Sequence, residues 1–357
     1  MKILHIAPFN VANVPMTFVL AERELGHESH LITLAKNPRD YPEDICLHLP
    51  FLNFKGLTHL KRFITGTLRI EVTNVKPDLT NFPPIWQPNK LEKSLIKFRE
   101  ALWRPIINQA YQKYQLDQFD VIQLDGGIGF FRDGSDMIRF KQQGKKIICC
   151  YTGSDLRVRG VIPLLDEISD LNITVEYDHL KLHTNIHHIF FPFDTEKFKP
   201  LPYRDDEILN IGHAPTNRAA KGSDQIIPVV KELEQNYPVK LILIENLPYQ
   251  EALKRKAECH IFIDQIGDLG YGINSLESLA MGIPTCSCLA PGFDEHYPDH
   301  PFIVIDSENL KSRLITLIHN RELRINKGRE GREWVKKYHD PIRIVRRIQE
   351  LAHLKSE

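Results

Sequence analysis

The sequence predicts an α/β protein built from two doubly wound Rossmann-like domains that face each other across a cleft. Three observations carry that expectation. Short apolar runs alternate with longer helical patterns along the chain, which argues for parallel sheets with crossover helices. A Pro-rich stretch from Pro192 to Pro202 interrupts the alternation, and prolines disfavour the interiors of both elements. The length of 357 residues suits two sizeable cores better than one.

The first elements read strand, helix, strand: Ile3 to Ala7, a helix ending near Gly26, then Ser29 to Leu34. Between Asp40 and Arg104 the alternation breaks, and Phe51, Phe54, Phe63, Trp86 and Trp103 are interleaved with Lys and Arg. Two readings of this insertion stay open. Its aromatics form a core under a helical insertion, or they dock on an anionic membrane, where a basic residue near the surface is worth ~1 kcal/mol. No single stretch shows a clean apolar face, which favours the core. Further strands are expected over Val121 to Leu124, Lys146 to Cys150, Val239 to Ile244, His260 to Asp264, Ile283 to Cys288 and Phe302 to Ile305. The expected organisation is a first domain over 1–195 with its insertion around 40–104, a second over 203–338, and a last helix within 339–357 packing back towards the first. No internal repeat or low-complexity tract occurs.

Charge is balanced, 46 basic residues to 46 acidic, which gives no support to a general nucleic-acid binder. Nothing resembles a secretory signal, since the opening run is short and interrupted by His5, and no apolar stretch could span a bilayer. The six cysteines follow no disulfide framework, so a reducing, cytoplasmic setting is expected. Cys286-Ser-Cys288 lacks a second ligand pair, and no metal is expected. No G-x-S-x-G, H-E-x-x-H or Walker-type loop is present, and no G-x-G-x-x-G follows the opening strand. Common hydrolases, zinc proteases, nucleotide hydrolases and nicotinamide dehydrogenases are thereby disfavoured.

The most informative stretch runs from Gly270 to Pro284, a Gly-rich loop directly before a helix, with Glu277 one turn in. Gly270 and Gly272 let the main chain approach an anion, and Tyr271, Ile273 and Asn274 sit where the helix aims its unpaired N–H groups. The plain alternative is a tight strand-to-helix turn. A second segment, Ile211 to Asp224, places Arg218 and Lys221 three apart at the start of the next helical pattern. An Arg fork and a Lys point charge match a diphosphate, and the macrodipole disfavours cations there unless an anion is near. Two solvated cations are the alternative. Asp120 to Gly129 ends a strand with Asp125 and three glycines, which suits a cleft wall or an ordinary turn. Tyr151 to Arg157 also ends a strand; Asp155 and Arg157 there bind polar groups of a substrate or pair with each other.

Together these segments resemble the donor half of a family 4 retaining glycosyltransferase with the glycosyltransferase-B fold. Asp264-Gln265 with Tyr271-Gly272 is similar to a subset of that family. Val11 to Pro15 with Leu20 to His27, Phe191 to Pro200 and Asn326 to Tyr338 are similar to its first loop and helix, its linker and its closing helical segment. In the family's E-x7-E pattern the second Glu is Glu277, whereas the first position holds Leu269, one residue from Asp268. Tyr151 to Arg157 is similar to a family segment whose His is here Thr152.

The resemblance implies that Arg218 and Lys221 neutralise the diphosphate of a nucleotide-sugar, with Asp125 the third candidate in the catalytic machinery. Asp264, Gln265, Gly270, Tyr271, Gly272, Ile273, Asn274 and Glu277 would hold the nucleotide-sugar, Glu277 through its ribose. Asn13, Gly153, Asp155 and Arg157 would lie on the acceptor side. It implies retention without a protein nucleophile, no metal or other cofactor, and a glycan or lipid-linked acceptor in polysaccharide biosynthesis, with possible peripheral contact at the inner face of a membrane. No D-x-D occurs, so the metal-chelating pair of the other major transferase fold is missing. A nucleotide-sugar epimerase of the same fold, or a non-catalytic transferase-like subunit, remain alternatives.

Overall fold

The structure, a computed structural model, describes residues 1–52, 83–202, 204–267 and 270–354. Leu269 and Asp268, Phe54 and Phe63 therefore lie outside the described residues. The chain forms two compact units, one from Met1 to Phe190 joined by the residues from Ile344 onward, the other from Phe191 to Arg343.

The first unit is a seven-stranded sheet with order β3-β2-β1-β4-β5-β6-β7. Its strands are β1 Lys2–Ala7, β2 Glu28–Thr33, β3 Ile45–Cys46, β4 Val121–Asp125, β5 Lys146–Tyr151, β6 Leu171–Thr174 and β7 His187–His188. Every pairing is parallel. The strand order reverses beside β1, and ligands of such sheets bind outside the carboxyl ends of the strands at that switch point. One face packs Leu4, Ile6, Ile122 and Leu124 with Trp103, Ile107 and Phe140 from the covering helices. The other packs Ala7 and Leu31 against Met16 and Val19. Burial on both faces explains why these strands read as near-continuous apolar runs. The sequence pattern missed β6, whose Leu-Asn-Ile-Thr carries two polar residues, and the two-residue edges β3 and β7. His187 and His188 form that last edge strand.

The helix Lys90–Lys113 starts with a capping box, the Asn89 side chain accepting from Glu92 N while the Glu92 carboxylate accepts from Asn89 N. Trp103 is buried and its Nε1 donates to the Pro50 carbonyl at 2.8 Å. The same helix exposes Leu91, Leu95, Phe98 and Leu102 on its outer side. That spacing is an apolar face, which corrects the expectation that none exists in this region. No helix among the described residues is long and apolar enough to cross a membrane. The last helix, Pro341–Leu351, buries Ile344, Val345 and Ile348, and Gln349 meets His27 at 2.8 Å.

The second unit is a five-stranded parallel sheet, order β12-β11-β10-β8-β9. The strands are β8 Leu209–His213, β9 Val239–Leu243, β10 Ile261–Ile263, β11 Thr285–Ser287 and β12 Ile303–Val304. Ile211, Ile261 and Ile263 pack with Ile226, Val230, Leu310 and Leu314 on one face. Ile242 and Phe262 pack with Met281 and Ile283 on the other. A cavity of about 400 Å³ lined by Arg204, His260, Pro284 and Arg324 opens where β10 and β11 begin. The Gly-rich loop lies at the opposite, carboxyl ends.

Candidate active site

In the second unit the turn after β8 and the loop after β10 are stacked. Asn217 caps the short helix Arg218–Lys221 by accepting from Ala220 N, and Gly222 ends it in the left-handed region. The Lys221 carbonyl accepts from Ile266 N at 3.2 Å. A Cβ on Gly267 would lie 2.7 Å from the Ala220 oxygen, so only glycine allows this approach. Stacking brings the Lys221 ammonium to 3.1 Å from Asp264 Oδ1. Asp264 Oδ2 accepts from Gly272 N at 3.1 Å and from Ser275 Oγ at 2.7 Å. Burial opposes ionisation of Asp264, but the Lys221 charge and these hydrogen bonds outweigh it and hold the carboxyl below its ordinary range. Cations at a helix start call for an anion nearby, and the chain supplies two of its own, Asp264 for Lys221 and Glu245 for Arg218. Arg218, half-exposed, makes a bidentate pair with Glu245, Nε to Oε1 at 2.7 Å and Nη2 to Oε2 at 2.6 Å.

The loop itself divides into backbone and side-chain roles. Gly270 has φ 137°, a conformation that L side chains rarely adopt. Gly272 is extended, and a Cβ there would come 3.9 Å from Lys221 Nζ; its lack of a side chain leaves room beside the ammonium. Gln265 Nε2 donates to the Gly270 carbonyl and braces the loop. Tyr271 departs from expectation. Its ring is buried among Phe293, Phe302, Trp334 and His339, and its hydroxyl meets His339 Nε2 at 3.2 Å. Only its main chain belongs to the loop surface. Ile273 opens the helix Ile273–Ala280, and Asn274 Nδ2 donates to the Ala214 carbonyl at 3.0 Å.

Glu277 is 4% exposed. The Tyr249 hydroxyl donates to its Oε1 at 2.9 Å, and the Lys256 ammonium pairs with Oε2. Lys256, 1% exposed, also donates to Asn274 Oδ1 at 2.9 Å and to its carbonyl at 3.2 Å, and lies 4.8 Å from the Phe262 ring centre. No sequence signal marked it. Within Tyr249–Ala257 it looks like one more cation of a solvated helix, Lys254-Arg255-Lys256.

In the first unit Asp125 ends β4, only 3% exposed. Its Oδ2 pairs with His5 Nδ1 at 3.0 Å and its Oδ1 accepts from Gln123 Nε2 at 2.9 Å. His5 Nε2 is 3.0 Å from Glu22 Oε2, which also accepts from Ser29 Oγ at 2.6 Å. Burial disfavours a charged imidazole, yet the two carboxylates raise His5 to about 10. Both oxygens of Asp125 are thus engaged inside the unit, which argues against direct contact with a reacting group. Asn13 lies in the left-handed turn after β1, and its side chain accepts from Asn10 Nδ2 at 3.0 Å.

Asp155 and Arg157 do not pair with each other as one reading had it. Asp155 caps its own loop, accepting from Thr152 N, Gly153 N and Leu156 N at 2.8, 2.9 and 2.8 Å, and from Thr152 Oγ1 at 3.1 Å. Arg157 instead forks onto Asp178 at 2.6 and 2.7 Å and reaches Glu176 at 2.8 Å. The Gly153 carbonyl accepts from His179 Nε2–H at 3.1 Å. Burial and then the Arg157 charge push His179 down to about 3, so it is neutral and its Nδ1 accepts from the Thr174 hydroxyl at 2.7 Å. Asp155→Ala is expected to cost about 2–4 kcal/mol in urea unfolding, because it strands several backbone N–H groups at once. A change below about 0.5 kcal/mol, the level of an ordinary surface substitution, would contradict this capping role.

No protein-family model matches the chain. Over 149 residues it is 26% identical to an uncharacterized glycosyltransferase of Methanocaldococcus jannaschii, a match covering 33% of this chain and 40% of that relative. The chain thus spans less than half the length of the curated relative it matches. Sucrose-phosphate synthase from Thermosynechococcus elongatus has the same fold with a TM-score of 0.61 and 12% identity, over 99% of this chain and 98% of that one. The E. coli trehalose-6-phosphate structure bound with UDP-2-fluoro glucose gives a TM-score of 0.62 and 11% identity, over 99% and 100%. At these identities the structural likeness speaks to fold alone: two Rossmann-like α/β units of the glycosyltransferase-B type.

Proposed function

We propose that this chain is a retaining, metal-independent glycosyltransferase that moves a sugar from a nucleotide-diphospho-sugar to a glycan or lipid-linked acceptor. The observation that carries the reading is the Lys221 ammonium, steered by Asp264 to the mouth of the Gly-rich loop beside Gly272. Arg218 complements it. Its pair with Glu245 is exposed and screened by solvent, so a diphosphate can take over the guanidinium fork at little cost. Asp264 is a positioning residue here, since a buried carboxylate touching a phosphate would repel it. Glu277 presents its remaining lone pairs to the ribose, oriented by Lys256 and Tyr249.

Retention in this reading needs no protein nucleophile. The donor's own phosphate oxygen takes the acceptor's proton, while the protein holds the charge developing on the diphosphate and on an oxocarbenium-like sugar. Asp125 then acts through His5 and the packing of β1 on β4, not as a base. The exposed stripe Leu91, Leu95, Phe98 and Leu102, with Lys90, Lys93 and Lys97 on the same helix, supports peripheral membrane contact and a cytoplasmic place at the inner face.

Calorimetric titration with UDP, GDP and several nucleotide sugars, without added metal, tests the donor site. One nucleotide is expected to bind and to lose affinity in Glu277→Ala. Lys221→Ala is expected to lower turnover by roughly 10²–10³. Absence of binding by every nucleotide diphosphate would turn the reading towards a non-catalytic subunit.

A further inference from the structure

The Gly-rich loop of the second unit is tied to the rest of the chain at three points. Gln265 Nε2 donates to the Gly270 carbonyl, and Gly272 N donates to Asp264 Oδ2 at 3.1 Å. The third tie is the Tyr271 hydroxyl, 3.2 Å from His339 Nε2. The first two partners lie 5 and 8 residues away along the chain, the third 68. Gly270 and Gly272 flank the tyrosine, and glycine imposes little backbone preference of its own. The path of the loop is therefore set by its ties.

His339 is held on several sides. It is fully buried at the end of the helix Arg321–Tyr338, its N–H donating to the Val335 carbonyl at 2.9 Å. Its Nδ1 stands 2.8 Å from the Phe191 carbonyl, and its own carbonyl accepts from Phe193 N at 2.9 Å. A carbonyl can only accept, so Nδ1 carries a proton, and the lone pair of the neutral ring lies at Nε2. The Tyr271 hydroxyl donates to that lone pair. Phe191 opens the chain of the second unit, so one imidazole joins the start of this unit, the end of a late helix and the loop.

Ring packing does not account for the hydroxyl. Tyr271 lies 4.8 Å from Phe302 and 5.7 Å from Trp334 between ring centres, a setting that phenylalanine would fill as well. Burying a hydroxyl is costly unless it finds a partner. A satisfied buried network, in return, selects one arrangement among those that packing tolerates.

We propose that His339 is a positioning residue for the donor loop. Through the Tyr271 hydroxyl it holds Gly270 to Gly272 in the path that keeps room beside the Lys221 ammonium. This rests on the donor-site reading and extends it to a residue outside the loop.

Three variants of the full chain separate positioning from packing. His339→Gln puts an amide oxygen where Nε2 stands and keeps an acceptor for Tyr271. His339→Asn puts an amide nitrogen where Nδ1 stands, which keeps the donor to Phe191 and loses the acceptor. Tyr271→Phe removes the hydroxyl alone. Hydrogen exchange of the loop peptide around Gly272, without ligand, is expected to quicken at least tenfold in His339→Asn and Tyr271→Phe. His339→Gln should restore most of the native protection. Affinity for UDP or GDP, measured by calorimetry, should fall about tenfold in the same two variants and recover in the third. Tyr271→Phe combined with His339→Asn should lose no more than either alone, since both remove one bond. Leu314→Ala, in the core on one face of the same sheet, should lower the melting temperature and leave loop exchange and affinity unchanged.

Native exchange in Tyr271→Phe, or equal exchange in the Gln and Asn variants, overturns the proposal. So does native nucleotide affinity in Tyr271→Phe, or a loop that loosens as much in Leu314→Ala. A native chain that binds neither nucleotide, with exchange in the expected order, removes the transferase reading and leaves His339 as the residue that sets the loop.

Discussion

Replacing His5 by leucine should destabilise the first unit by about 3–5 kcal/mol, the usual result of removing one partner from a buried charge set. The imidazole is fully buried between Glu22 and Asp125, and leucine would leave both carboxylates without their cation. The pH dependence gives an independent signature. In the unfolded chain a histidine titrates near 6.5, whereas folding raises His5 to about 10. The folded state therefore holds a proton that the unfolded state releases between these values. The contribution is complete below pH 6.5 and declines as pH rises towards 10. Its full size is of the order of 5 kcal/mol. Urea unfolding at pH 6.5, 8 and 9.5 should show the native chain losing stability with pH more steeply than His5→Leu. Parallel slopes for the two proteins would rule out an imidazolium at this position.

Lys256→Met should be the second large effect, and it separates support from contact. It leaves Glu277 buried beside an apolar chain and removes the hydrogen bonds to Asn274, with an expected loss of about 3 kcal/mol in stability. Glu277 would also lose the partner that aims its Oε2, and nucleotide affinity should fall about tenfold or more, one hydrogen bond to a charged group being worth roughly 1.5–3 kcal/mol. The double variant Lys256→Met with Glu277→Gln should recover most of the stability, because both buried charges are gone, but not the affinity. Coupling between neighbours in contact is what such a cycle measures. If affinity recovered along with stability, the Glu277 carboxylate would have no part in binding nucleotide.

The residues of the second unit were the more legible, for a local reason. Arg218, Lys221, Gly270, Gly272 and Glu277 sit at helix starts, where capping, glycine and charge placement are read from a few neighbours along the chain. The stacking of Gly267 on Ala220 then brings Lys221 and Gly272 side by side. Tyr271 was misread because an aromatic after glycine looks the same whether its ring faces a ligand or a core. The exposed stripe on the helix Lys90–Lys113 was missed because basic residues are interleaved with it. Asp155 was read as a ligand or an ion-pair partner because the sequence does not display the loop that folds round it.

By itself the sequence determined the fold class, since alternating apolar runs and helical patterns can bury their faces only as parallel sheets covered by helices. It also determined where glycine and helix starts concentrate. Which charges meet was decided by the tertiary structure alone. His5 and Asp125 are 120 residues apart and join because β4 pairs with β1. Lys256 meets Glu277 from a separate helix. Coulomb energy depends on distance in space and on burial. Both follow from strand order and packing, and neither is encoded in the spacing of residues along the chain.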